Sequence, residues 1–70
     1  MINKQKDTMK ELMITTTNPF SGQSIDLTFD EHELYSAIKM LEADGLYELM
    51  QEELDKFSRL NPKAYMTLLD

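Results

Sequence analysis

The sequence predicts an α+β miniature, an N-terminal β-hairpin followed by three short helices packed on one face. Three observations predict it. Two stretches that alternate apolar and polar residues flank a turn carrying Pro19 and Gly22, a helix-capping signature stands at residues 28–33, and beyond Gly45 the apolar residues recur at spacings of three and four.

In the first stretch Leu12, Ile14 and Thr16 alternate with Met13, Thr15 and Thr17, and the β-branched density favours a strand over a helix continuing from Lys4. Asn18-Pro19-Phe20-Ser21-Gly22-Gln23 then reverses the chain, because Pro presets one backbone angle and Gly accepts a positive one. On the far side Ile25, Leu27 and Phe29 alternate with Ser24, Asp26 and Thr28, close enough for the two runs to pair as a hairpin. The first helix has two candidate starts. Thr28 with Glu31 and Asp30 with Glu33 both fit a capping box, and the second placement adds a hydrophobic staple between Phe29 and Leu34. Leu34, Ile38 and Leu41 share a face with Ala37 beside them, and the helix is expected to run to about Ala43, where Asp44-Gly45 offers a left-handed cap. The second helix carries Leu46, Leu49, Met50, Leu54, Phe57 and Leu60 as one apolar stripe. Asn61-Pro62 reads as a cap followed by a first-turn proline, opening a short third helix whose Tyr65, Leu68 and Leu69 pack back. The expected core is Ile14, Ile25, Leu27, Leu34, Ile38, Leu41, Met50, Leu54, Phe57 and Leu68.

All 70 residues are expected to form one small domain, with residues 1–10 fraying at its start. At 41% hydrophobic, with two Gly and two Pro, the chain is too apolar for a disordered linker. A domain this short removes only about 60% of its unfolded surface from water, so its stability depends on a small core or on association. Cysteine is absent and His32 is the single histidine, so neither a disulfide framework nor a structural zinc cage is available. That composition points to a reducing, cytoplasmic setting, and no signal peptide or membrane span is apparent. The net charge of −6 is unevenly placed. Residues 1–25 carry +1 and residues 56–70 carry +2, whereas residues 26–55 hold ten acids against Lys39, a charge of −9. Such a surface repels phosphate backbones and anionic lipid, which disfavours direct nucleic-acid and membrane binding.

Asn18-Pro19-Phe20-Ser21-Gly22, Ile25-Asp26-Leu27-Thr28, Leu54-Asp55-Lys56-Phe57 and the closing run from Asn61 to Asp70 together resemble small acidic proteins encoded in tailed-phage genomes. The resemblance covers residues 18–70. It implies a phage origin, hence a host-cell cytoplasm, and an accessory role, and it brings no activity, ligand or catalytic residue with it.

Catalytic chemistry finds little support. Asp30-Glu31-His32-Glu33 surrounds the lone imidazole with carboxylates, but four consecutive helical residues point in directions about 100° apart and do not converge on one ion. His32-Glu33-Leu34-Tyr35-Ser36 begins like the zinc metalloprotease helix signature, yet Ser36 stands where the second histidine is needed. Acids at a helix start serve its free amide groups and its dipole without further purpose. A hydroxyl nucleophile has only His32 as a base, and Gly22 and Gly45, already used by a turn and a cap, do not make a phosphate loop. No enzyme, metal or cofactor is therefore expected.

Binding is better supported. Asn18-Pro19-Phe20 is a motif that endocytic adaptor domains bind, although a turn with Phe20 folded onto the sheet accounts for the same residues. The acidic middle suggests helices whose carboxylates imitate DNA phosphates on a basic, nucleic-acid-handling protein. Against this, Glu52 with Lys56 and Asp55 with Arg59 form i,i+4 pairs in the favourable order, as a solvated face would. Met9, Met13, Met40, Met50 and Met66 suit adaptable contacts as well as core filling, and Tyr35, Tyr47 and Leu60 lie off the main apolar face. The sequence thus points to a non-enzymatic module that binds a basic protein partner through Glu42, Asp44, Glu48, Glu52 and Glu53, with Tyr47 as aromatic anchor. The alternative is a homo-oligomeric structural or assembly subunit that self-associates through the hairpin edge or the Tyr65-to-Leu69 end.

Overall fold

The structure, a computed structural model, describes residues 12–69. The expected fraying of residues 1–10, and Met9 with it, lies outside them. The described residues form a two-stranded antiparallel hairpin followed by three helices, the α+β order expected from the sequence.

Strand β1 (Ile14–Thr17) pairs with β2 (Ser24–Leu27), Ile14 opposite Leu27 and Thr16 opposite Ile25. This register puts Ile14, Thr16, Ile25 and Leu27 on one face, against the helices. The other face is polar and cross-linked: Thr15 Oγ1 donates to Asp26 Oδ1 at 2.7 Å, and the hydroxyls of Thr17 and Ser24 lie 2.8 Å apart. The connection closes with the Asn18 amide donating to the Gln23 carbonyl and the Gly22 amide to that of Asn18, both at 2.8 Å. Gly22 takes φ +79° there, a conformation that L side chains resist.

Helix α1 (Phe29–Asp44) starts on Thr28, so of the two capping boxes the chain uses Thr28 with Glu31. The Glu31 amide donates to Thr28 Oγ1 at 3.2 Å and the Thr28 amide donates to Glu31 Oε1 at 2.9 Å. The staple belonging to the other register goes unused: Phe29 is the first helical residue, 61% exposed, and continues no strand. At the far end the amides of Gly45 and Leu46 donate to the carbonyls of Glu42 and Leu41, a Schellman ending with Gly45 at φ +75°. Helix α2 (Tyr47–Leu60) follows after this two-residue link and folds back along α1. Asn61 then caps α3 (Pro62–Leu68), accepting from the Ala64 amide at 3.1 Å, with Pro62 in the first turn.

Among the described residues five apolar side chains are buried: Leu27, Ile38, Phe57, Ala64 and Leu68. Ile25, Leu34, Tyr35, Met50, Leu54, Tyr65 and Leu69 pack around them. Two expected core residues, Ile14 and Leu41, stay half-buried outside this cluster, because the small core closes before reaching the hairpin entrance or the last turns of α1. Tyr35, expected off the main face, instead reaches the core, its ring 6.3 Å from that of Phe57. The apolar stripe of α2 divides: Met50, Leu54 and Phe57 turn inward, whereas Leu46, Leu49 and Leu60 remain exposed. A six-residue stripe is wider than the surface that one hairpin and two helices can offer it. Ala64 was not foreseen in the core; its small side chain lets α3 approach β2 and α2 closely.

Candidate partner-binding surface

Folding α2 back on α1 leaves an open groove of about 350 Å³ lined by Ala37, Met40, Leu41 and Asp44 from α1 and by Leu49 and Glu53 from α2. Met40 is 66% exposed and Leu49 50% exposed. At the interhelical link, Tyr47 and Glu48 border a second hollow that shares Leu49 with the groove. A third depression lies on the hairpin side, where Pro19 and Phe20 face Lys39, Glu42 and Leu69.

The six residues expected at the partner surface divide among these places. Asp44 and Glu53 flank the interhelical groove, and Tyr47 and Glu48 stand next to it through Leu49. Glu52 is exposed three residues after Leu49, hence its neighbour on the helix surface. Glu42 stands apart, on the hairpin side, 3.3 Å from Lys39. Part of the acidity has a local use. Leu46 gives α2 no side-chain cap, so Glu48 in its first turn is the acid that answers the helix dipole, while Asp55 holds Arg59 at 3.1 Å. Lys56 bonds Glu53 at 3.2 Å and not the expected Glu52, because at i,i+3 Glu53 is equally near on the helix and better sheltered. Met40 and Met66 are exposed, consistent with contact surfaces, whereas Met50 packs on the core.

The hairpin tip departs from expectation. Phe20 does not fold onto the sheet but is 92% exposed, while Asn18 beneath it is 8% exposed. Asn18 Oδ1 accepts from the amides of Phe20 and Ser21, and its Nδ2 donates to the Thr67 carbonyl at 3.1 Å. With that amide spent on the fold, only Pro19 and the phenyl ring of the Asn-Pro-Phe motif are presented to solvent.

Around His32 the carboxylates have structural partners or none in common. Glu31 serves the cap, and the imidazole lies 6.4 Å from the Tyr35 ring in a row that continues to Phe57. Among the described residues no three acids or histidines stand together as metal ligands, and no helix is long and apolar enough to cross a membrane. Compared with protein-family models, curated proteins and solved structures, the chain matches none.

The groove residues missed from the sequence are Leu41, assigned to the core, and Leu49, read only as part of the apolar stripe of the second helix. Their signal was present in the pairing of apolar and acidic positions on either side of Gly45, Met40-Leu41 with Asp44 and Leu49 with Glu53.

Proposed function

We propose that this chain is a non-enzymatic protein-binding module, in the phage setting an accessory factor that docks on a basic, nucleic-acid-handling host protein and modulates or inhibits it. The observation that carries the reading is the sharing of one surface by acids and exposed apolar side chains: Asp44, Glu48, Glu52 and Glu53 surround Leu49, with Tyr47, 60% exposed, at its edge. A merely solvated face has no need of exposed leucine and tyrosine, whereas an interface combines an apolar centre with a charged rim. Acids around that centre steer a basic partner and turn away polyanions.

The decisive experiment combines Glu48→Lys and Glu52→Lys and measures capture of host proteins by the purified chain. Both positions are exposed, so the helical circular dichroism at room temperature should persist, with a melting point somewhat lowered by loss of Glu48 at the α2 start, while capture falls and wild-type capture weakens as salt rises. Capture equal to wild type removes these two residues from the interface.

Self-association is the second reading, favoured by Phe20 at the hairpin tip and by Met66, exposed on α3. A salt-insensitive oligomer in light scattering establishes it and displaces the first.

A further inference from the structure

We propose that the groove between α1 and α2 receives an amphipathic helix with basic flanks, contributed by the partner; this rests on the protein-binding reading and names the form the partner takes. The groove floor is apolar, formed by Ala37, Met40, Leu41 and Leu49, with the flexible thioether of Met40 able to adjust to what it meets. A third helix laid between two packed helices finds ridges and hollows at the spacing its own side chains need. A strand finds no sheet edge there to satisfy its backbone amides, so it would lose hydrogen bonds on entering.

Charge selects the occupant further. Asp44 on α1 and Glu53 on α2 flank the floor, and Glu48 and Glu52 stand on either side of Leu49 along α2. A second copy docking by this same face would bring the same acids against these, and like charges brought together across an interface disfavour that pairing. A helix with lysine or arginine beside its apolar stripe answers both the floor and the rim. The lining from Ala37 to Asp44 spans about two turns of α1, so the seated part of such a helix is about two turns long, or roughly 11 Å.

The probe is a synthetic leucine–lysine peptide of about 18 residues with leucines at i, i+3, i+4 and i+7, beside a scrambled peptide of the same composition. The patterned peptide should bind in the micromolar range by calorimetry and the scrambled one at least about tenfold more weakly. Amide shifts should concentrate at Ala37, Met40, Leu41 and Leu49. Met40→Ala with Leu49→Ala should weaken the patterned peptide by about tenfold. Both side chains are at least half exposed, so the fold should persist, and the shift map on the wild-type chain gives the same answer independently. Equal binding of the two peptides, or shifts confined to the hairpin side, overturns the groove while leaving an acidic docking surface in place. Absence of peptide binding with host-protein capture intact likewise removes the groove alone, and absence of both removes the protein-binding reading with it.

Discussion

Asn18 serves two elements with one amide group. Its carbonyl oxygen gathers the amides of the hairpin tip and its nitrogen reaches the Thr67 carbonyl in α3, 49 residues away. Asn18 itself is buried, so replacing it by alanine removes these part-buried bonds, and Asn18→Ala should lower stability by about 1–2 kcal/mol. Phe20→Ala, two residues on, should change stability by no more than about 0.5 kcal/mol, since that ring is in water. Urea unfolding of both variants checks the contrast, and a large loss from Phe20→Ala would contradict the exposed ring. The direction of Phe20 was not legible in the sequence, because it depends on this long-range bond from Asn18. The choice of Glu53 by Lys56 was equally hidden, since two acids stand within reach of one flexible side chain.

Elements were the most legible scale, because helix ends are decided by residues a few positions apart. Thr28, Gly45, Asn61 and Pro62 occupy the cap positions that their chemistry suggests. What local patterns did not disclose is that two caps are joined. Glu31 accepts from the Thr28 amide with one carboxylate oxygen and from Asn61 Nδ2 with the other, at 3.2 Å, tying the start of α1 to the start of α3. Glu31→Ala should therefore cost about 1–2 kcal/mol, more than loss of a capping box alone, while Glu31→Gln retains part of it. A double-mutant cycle of Glu31 and Asn61 should return a coupling of about 0.5–1 kcal/mol, and zero coupling would show that the bridge contributes nothing. The division of the α2 stripe was illegible for a different reason. Periodicity says which residues share a helix face, not how wide a partner that face will meet, so Leu46, Leu49 and Leu60 read as one stripe with Phe57 although they stay exposed.

For the whole molecule, hydrophobic support is concentrated in few side chains. A chain of this length holds roughly 4–10 kcal/mol of stability, and truncating a fully buried phenylalanine costs about 3–5 kcal/mol. Phe57→Ala should accordingly leave much of the population unfolded at room temperature, visible as a flattened thermal transition; a melting point near wild type would mean that the core does not depend on this ring. The acidic character was legible as a charge of −9 over residues 26–55, but which acids meet the apolar groove was decided only when α2 folded back on α1. The five buried apolar side chains among the described residues come from four elements, one each from β2, α1 and α2 and two from α3. None of these elements can therefore detach without opening the core to water. In hydrogen-exchange terms, the amides of Leu27, Ile38, Phe57 and Leu68 should share a single opening free energy, that of global unfolding, and respond alike to added denaturant. Earlier exchange at Leu68 alone would separate α3 as its own unit. A hairpin or a helix pair excised from this chain is expected to be a random coil, since none carries more than three of the five side chains that keep one another dry.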